Sequence, residues 1–232
     1  MLAKRVIICL TFVEGVLFRT KRFVPDYRYT QSHCVAGDAD ELMLLDITRT
    51  GAWPGFPDLV ARYCQRLDLP PTAGGNVRSW EYARRLLNSG CEKVVVGYGG
   101  KDCYEEIASQ VGSQSLVAGI DTEGSNASNS AIKDSVERGA GEILFTSVAR
   151  DGSLGGFDLS LLRQATSVCS VPIVIAGGCG SWQHMREAFE AGAAGAVTSN
   201  IFHQSETAMR SCKQWLSQNY SGPVRPAESP SG

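Results

Sequence analysis

One stretch of this chain occurs twice. Residues 73–97 read AGGNVRSWEYARRLLNSGCEKVVVG, and residues 176–199 read AGGCGSWQHMREAFEAGAAGAVTS. Ser79 in the first stretch returns as Ser181 in the second, an offset of 181 − 79 = 102 residues. An offset near half of the 232 residues indicates two copies of one structural half.

The pattern of apolar residues predicts alternating strands and helices. We predict eight strands, at 5–10, 41–47, 71–74, 93–96, 116–121, 142–147, 171–176 and 195–199. We predict seven helices, at 57–66, 79–88, 103–111, 130–138, 159–166, 182–190 and 206–218. Two similar halves of four strands predict an α/β protein, a (β/α)₈ TIM barrel built from two half-barrels over residues 1–220. A doubly wound open sheet is the alternative, although such sheets rarely repeat a half so closely. The polar, Pro- and Gly-rich segment 221–232 is predicted to be disordered.

Composition excludes several classes of function. The 43% hydrophobic and 20% charged residues are typical of a globular protein, and a net charge of −2 gives no indication of a nucleic-acid partner. The apolar runs are too short to cross a bilayer and the first residues lack a signal-peptide pattern, so we expect no membrane association and a cytoplasmic location. The eight cysteines contain no CxxC pair and the three histidines have no ligand spacing, so we expect reduced thiols, no metal and no cofactor.

Barrel geometry sorts candidate residues by the end of the strand at which they lie, since active sites occupy the carboxyl-terminal face, or mouth. The loops after the last two strands combine glycines and hydroxyl groups in a way that is typical of phosphate sites, although the glycines could serve only for tight turns. The candidate phosphate-binding residues of this half are Asp151, Gly152, Gly177, Gly178, Ser199 and Asn200. Gly75 and Gly97 follow strands of the first half and belong to the same face.

A carboxylate at the mouth is a candidate general acid or base. Asp121 ends the fifth predicted strand and could act so, or could cap the following loop. Thr11 occupies the matching place in the first half, where a hydroxyl cannot act as a base without an activating partner. Asp46 lies deeper and is expected to orient its neighbours.

Four charged residues begin strands at the opposite end, or bottom, of the barrel. They are Arg5, Glu41, Lys93 and Glu142. Buried charges must pair, so the pattern predicts a closed ring of ion pairs, for which a structural plug is the simplest interpretation.

These motifs resemble the cyclase subunit of imidazole glycerol phosphate synthase, the HisF family, across almost the whole chain. The sister HisA-type isomerase is a more distant resemblance. The stretches that carry the resemblance are 1–10, 40–42, 45–48, 139–147, 150–152 and 156–158. It implies a barrel that receives ammonia from a class I, HisH-like glutaminase docked on the bottom face, and a reaction at the mouth with a phosphorylated substrate. In that family the four bottom residues form a gate, so the resemblance makes Arg5, Glu41, Lys93 and Glu142 an ammonia entrance.

The mouth departs from the family pattern. The family uses two aspartates as acid and base; Asp121 matches one, and Thr11 replaces the other. Asn76 replaces the last glycine of a triple-glycine run, Gly97–Tyr98 replaces an Asn–Thr pair, and Asn200 stands where the family prefers serine. The resemblance therefore counts Asn76 and Tyr98 among the altered phosphate-binding positions.

Such departures resemble a branch of the family found with surface-polysaccharide genes, which implies ammonia delivery for an amide or amidine on a nucleotide sugar. The stretch 15–29 is similar to the first loop of that branch, and its Arg19, Lys21 and Arg22 would place positive charge near the mouth or form a solvated loop. Three functions remain open: a glutaminase-fed synthase with a changed substrate, the histidine-pathway cyclase itself, and a non-catalytic barrel that activates a glutaminase.

Overall fold

The computed structural model describes residues 3–29, 38–66, 69–123, 129–199 and 208–226. The strands are β1 Arg5–Val13, β2 Val16–Lys21, β3 Val24–Arg28, β4 Glu41–Asp46, β5 Pro71–Gly74, β6 Lys93–Gly97, β7 Leu116–Thr122, β8 Glu142–Ser147, β9 Ile173–Ala176 and β10 Gly195–Thr198. The helices are α1 Phe56–Arg66, α2 Trp80–Asn88, α3 Tyr104–Val111, α4 Asn129–Glu137, α5 Leu159–Val168, α6 Trp182–Glu190 and α7 Ala208–Asn219. None of the helices in these ranges is long and apolar enough to cross a membrane.

Eight parallel strands close into a barrel. Strand β1 pairs with β4, the pairing continues in sequence order from β4 to β10, and β10 pairs back with β1. The predicted (β/α)₈ fold is therefore confirmed, and the predicted strands agree with the barrel strands to within about three residues at each end.

The two halves of the chain are equivalent in local structure. Ser79 and Ser181 both precede a helix with extended backbone, and each side-chain oxygen accepts from the N–H three residues later at 3.3 Å. Gly75 and Gly177 have φ values of +93° and +90°, and a Cβ at either would collide with the carbonyl oxygen of the preceding strand's end. These pairs explain the repeat, because the same cap and the same tight turn are needed in each half.

Alternation along the strands builds the interior of the barrel in layers. The odd-numbered residues of β1 face inward, so Arg5 lies at the bottom and Thr11 at the mouth. The middle of the interior is apolar, and its buried residues are Ile7, Cys9, Met43, Val95, Val117, Leu144, Val174 and Val197. The even-numbered residues of β1 pack outward into the larger core beneath the helices.

Strands β2 and β3 form a hairpin that the sequence reasoning treated only as a loop. The upper part of β1 pairs with β2, which pairs with β3 in antiparallel fashion, and the register shifts near Arg19. Every residue of β3 is exposed, so this strand lacks the apolar alternation by which strands are recognised.

The carboxyl-terminal segment also differs from its prediction. Lys4 N–H donates to Pro223 O at 2.9 Å, and Arg225 N–H donates to Lys4 O at 3.3 Å. Lys213, buried against Asp40 at 2.7 Å, donates to Pro226 O at 3.3 Å. Residues 223–226 are thus held against the bottom of the barrel by backbone pairing that composition does not reveal; residues 227–232 lie outside the described part of the chain.

Candidate functional site

The four charged residues at the bottom form a closed ring. Arg5 donates through Nη1 to Glu41 Oε1 at 2.6 Å and through Nη2 to Glu142 Oε1. Lys93 Nζ lies 2.8 Å from Glu142 Oε2 and 3.9 Å from Glu41 Oε1. Each residue is the first of its strand, so the common inward face of β1, β4, β6 and β8 brings them together. The predicted ring of ion pairs is present.

The ring forms the floor of a cavity that opens on the bottom face. This cavity has a volume of about 510 Å³, and its wall also includes Glu92, Gln114 and Arg225. The side chain of Lys93 is 22% exposed, against 7–10% for the other three members. Lys93 is therefore the ring residue most accessible from the bottom.

The mouth contains two adjoining cavities that share part of their walls. Phe23 lines both cavities, as do Leu45, Leu144 and Thr146. The larger cavity is about 590 Å³ and is lined in part by Asp121, whereas the smaller cavity is about 40 Å³ and is lined in part by Thr11. The predicted mouth residues are thus distributed over two adjoining cavities.

Asp121 lies in the wall of the larger cavity, at the end of β7. Its side chain is open to the cavity, yet the surrounding protein raises the pKa of its carboxyl group by desolvation, opposed by a hydrogen bond from Thr146. A carboxyl group with a raised pKa can both accept and return a proton nearer neutral pH. This is the chemistry expected of an acid–base residue.

Thr11 is buried and lines the smaller cavity, whereas Asp121 lines the larger one. Its hydroxyl donates to Phe18 O at 2.6 Å, so its hydrogen fixes the hairpin to β1. Asp46, in contrast, accepts from Thr48 N–H, Thr48 Oγ1 and Trp53 N–H at 3.0, 2.6 and 2.8 Å, which is the orienting role expected of it.

The Asp151 carboxylate holds the tip of the hairpin. Its Oδ2 atom accepts from Thr20 Oγ1 at 2.7 Å and from Phe23 N–H at 3.0 Å, and its carbonyl oxygen accepts from Arg22 N–H at 3.3 Å. Gly152 lies directly under the hairpin, where a Cβ would meet Lys21. The side chain predicted to face a phosphate is engaged by the protein itself.

The other second-half glycines are required by the backbone. Gly177 and Gly178 have φ values of +90° and +102°, and a Cβ at either would strike a neighbouring carbonyl oxygen. Together with Ser199 they line the smaller cavity. The turn requirement accounts for these glycines, and phosphate binding by them stays a prediction; Asn200 lies outside the described residues.

The altered first-half positions, Asn76 and Tyr98, differ in whether they line the larger cavity. Asn76 adopts φ +57° and donates through Nδ2 to Thr48 O at 2.8 Å, which ties down the loop after β4. Gly75, Asn76 and Gly97 line the larger cavity. The Tyr98 side chain does not: its hydroxyl donates to Asp134 Oδ2 on α4 at 3.1 Å. The expectation for the Tyr98 side chain is corrected, because the turn after β6 directs it outward to the helix layer.

Sequence reasoning missed two features of the larger cavity. Arg49 lines it from the loop after β4, and Phe23 lines it from the hairpin. Arg49 directly follows the family-like stretch that ends at Thr48, so its position near a strand end was the available signal. In the described part of the chain, no group of three His, Cys, Asp or Glu residues could hold a metal ion.

Comparison with known proteins gives matches to one family. Residues 8–208 match the family described as "Histidine biosynthesis protein". The chain is 33% identical to the imidazole glycerol phosphate synthase subunit HisF of Dictyoglomus thermophilum, over 94% of this chain and 97% of the relative. It is 36% identical to the same subunit of Gluconacetobacter diazotrophicus over 93% and 94%, and 32% identical to that of a Thermotoga species over 94% and 96%.

Proposed function

The chain belongs to the histidine biosynthesis family, and we propose that it is the ammonia-accepting synthase subunit of a two-component enzyme. A class I glutaminase supplies ammonia at the bottom face, and a phosphorylated acceptor reacts at the mouth. The acceptor differs from that of the histidine-pathway cyclase.

The observation that carries this proposal is the stacking of three layers along the barrel axis. The ring of Arg5, Glu41, Lys93 and Glu142 lies between the bottom cavity and the apolar interior. Val95 and Leu144 of that interior also line the larger mouth cavity, beside Asp121. Neutral ammonia can cross an apolar layer, whereas ammonium would bear a large desolvation cost. The arrangement suits a nucleophile that enters at one end and is consumed at the other.

A changed acceptor is supported by the state of the acid–base pair. Asp121 remains in the larger cavity with a raised pKa, but the hydroxyl of Thr11 is committed to Phe18 O and lies by the other cavity. Loss of one acid–base group lowers a rate by about 10²–10⁴. One remaining carboxylate is sufficient if the acceptor carries its phosphate on the carbon that ammonia attacks: the C–N bond forms, Asp121 takes the proton that the attacking nitrogen loses, and phosphate leaves with the electrons of the broken C–O bond, giving an amide or amidine. The nucleotide-sugar acceptor implied by the polysaccharide branch stays a prediction.

A second candidate is the cyclase reaction itself. It is favoured by the similarity to HisF subunits along more than nine tenths of this chain. In this case Thr11 would be tolerated, and Asp121 would perform both proton transfers.

The test combines the purified chain with a class I glutaminase from the same organism. We expect the chain to stimulate glutamine hydrolysis, and Lys93→Met at the exposed member of the ring to weaken that stimulation. Lys133→Met, on the exposed face of α4, is the matched control. Absence of stimulation would refute the glutaminase partnership.

The acceptor is tested separately with the ribonucleotide substrate of the histidine-pathway cyclase, with glutamine or an ammonium salt as the source of nitrogen. Formation of the imidazole product would establish the second candidate and refute the changed acceptor. Candidate nucleotide sugars are then assayed by mass spectrometry for a gain of nitrogen. Asp121→Asn should abolish any turnover, while Glu123→Gln at the rim of the same cavity should retain it. The chain would be a non-catalytic activator if it stimulated glutamine hydrolysis but consumed no acceptor, and if Asp121→Asn left that stimulation unchanged.

A further inference from the structure

Glycines line both mouth cavities, and most of them are required by the backbone. Gly75, Gly177 and Gly178 have positive φ values, and a Cβ at each would strike a carbonyl oxygen. Gly97 is different, because its backbone is extended, with φ −62° and ψ 152°, and a Cβ there would meet nothing within 4 Å. It lines the larger cavity, yet neither the conformation of the chain nor packing requires glycine at this position.

A second glycine adjoins Gly97 on the next strand. Gly97 of β6 and Gly119 of β7 are partners in the parallel ladder, and Gly119 lines the same cavity without a positive φ. A Cβ at Gly119 would make ordinary contacts, the nearest being 3.4 Å from Gly97 Cα and from a methyl group of Val95. The space beside Gly97 and Gly119 is therefore a notch in the cavity wall that larger residues could fill.

Glycine is unfavourable at such places in a strand. It loses more conformational freedom on folding than any other residue and contributes no side chain to the packing of the sheet. Glycine inside a strand often marks a site that a ligand or another segment approaches closely. The space into which a Cβ of Gly97 would project is open, so no segment of the described chain occupies it. The observation points to a ligand in the notch.

The notch lies next to the acid–base carboxyl group. Val117, Gly119 and Asp121 alternate on the inward face of β7, so Asp121 lies about 6.6 Å beyond Gly119 along the strand. Val95 and Leu144 form an apolar floor below. An apolar wall with one polar group beside it suits a saturated ring that places its C–H face on the wall and its reacting carbon at the carboxyl group.

We propose that Gly97 is a specificity-determining residue, which together with Gly119 leaves room for the sugar ring of the acceptor in the larger mouth cavity. This inference rests on the proposed function and names the part of the substrate that lies in the notch: a six-membered ring whose exocyclic carbon, the one that ammonia attacks, reaches Asp121. A cavity of about 590 Å³ accommodates such a ring and the group that it carries. A side chain at position 97 would project into the same space and exclude the ring.

The first experiment measures the thermal unfolding of Gly97→Val. Because the backbone at position 97 is extended and the space beside it is open, valine should leave the Tm unchanged or raise it by restricting the unfolded chain. A lower Tm would overturn the proposal, since it would show that the fold itself needs this glycine. Gly155→Val is the matched control, because Gly155 lies outside both cavity walls and a Cβ there would meet only Ser153 Oγ within 4 Å.

The second experiment measures binding of uridine diphosphate glucuronate and of uridine diphosphate to the isolated full chain by calorimetry. The first ligand has a six-membered ring with an exocyclic carboxyl carbon, and the second has the same nucleotide without the ring. The wild-type protein should bind the glucuronate at least about tenfold more tightly than the diphosphate. In Gly97→Val this ratio should fall to about one, with the affinity for the diphosphate changed by less than about twofold.

A series of side-chain sizes tests whether volume is the cause. Gly97→Ala and Gly119→Ala should give ratios between those of the wild-type protein and Gly97→Val, and Gly155→Val should keep the wild-type ratio. A wild-type protein that binds the two ligands equally, or binds neither, would overturn the assignment to a sugar ring. The full ratio in Gly97→Val, or an equal loss in Gly155→Val, would overturn the role of Gly97.

These outcomes are distinct from those of the proposed function. Stimulation of the glutaminase depends on the bottom ring and is measured without a nucleotide sugar, so either result can fail while the other holds.

Discussion

Replacement of Arg5 by methionine tests the ring of charges most directly. Arg5 is the only member that binds both glutamates closely, and Arg5, Glu41 and Glu142 are 8%, 6% and 6% exposed. Removing one partner of a buried ion pair leaves uncompensated charge and destabilises a protein by about 3–5 kcal/mol. For a domain of this size, that loss corresponds to a fall in Tm of about 6–20 °C. Arg84→Met, which removes an exposed pair with Glu81, is the control and should cost less than about 1 kcal/mol.

The effect of Arg5→Met should depend on pH. Burial alone would raise the pKa of Glu142, but Arg5 and Lys93 together hold it below the ordinary value of 4.5. In the wild-type protein, the stabilisation that comes from this lowered pKa of Glu142 is fully present above pH 4.5. It is lost as the pH falls through the lowered pKa. In the variant only Lys93 still opposes the effect of burial on Glu142, so we expect the pKa of Glu142 to rise. Protonation of Glu142 then removes the unpaired buried charge in the variant. The difference in the free energy of unfolding between the wild-type protein and Arg5→Met should therefore become smaller from pH 7.5 to about pH 5.

Equilibrium unfolding in urea at both pH values measures this difference, with circular dichroism and fluorescence compared to check two-state behaviour. Adding Glu142→Gln to Arg5→Met should restore part of the stability, because one unpaired charge is removed. A cost of Arg5→Met below about 1 kcal/mol, or an equal cost at both pH values, would refute the argument that the ring is a desolvated network.

Three further predictions concern other buried groups. Thr11→Asp should destabilise the chain by about 1–3 kcal/mol in urea unfolding, because a carboxylate cannot donate to Phe18 O; unchanged stability would contradict this. Lys213→Met should lower the free energy of unfolding by about 3–5 kcal/mol, since it leaves Asp40 buried without its ion-pair partner. A loss no larger than that caused by Arg84→Met would contradict this prediction. Burial raises the pKa of the Cys9 thiol to about 12, so iodoacetamide at pH 8 should modify Cys9 only after unfolding, as peptide mass mapping would reveal; rapid labelling of the folded chain would disprove the assignment.

Much of the candidate site follows from periodicity. Once β1 is assigned, alternation places Arg5 at the bottom and Thr11 at the mouth on the same inward face. The same rule places Lys93 and Gly97 at opposite ends of β6. Both ends of the barrel could therefore be predicted without knowledge of any long-range contact.

The surroundings of each group could not be predicted in this way. Nothing local distinguishes Arg22 from Arg19, although one lines a cavity and the other pairs with Asp26. Nothing local indicates that Tyr98 turns outward, or that Asp151, 131 residues from Thr20, holds the hairpin.

The sequence by itself determined the doubled barrel, the positions of its two ends and the residues that face inward. These depend on the repeat and on a two-residue period, which are local properties of the chain. Only the tertiary structure decided that Thr11 and Asp121 line different, adjoining cavities, and that Arg22 and Arg49 line the larger one with no ion-pair partner among the described residues. Those outcomes depend on contacts between segments far apart in the chain, and hydrogen bonds such as those of Asp151 form only once the barrel has closed.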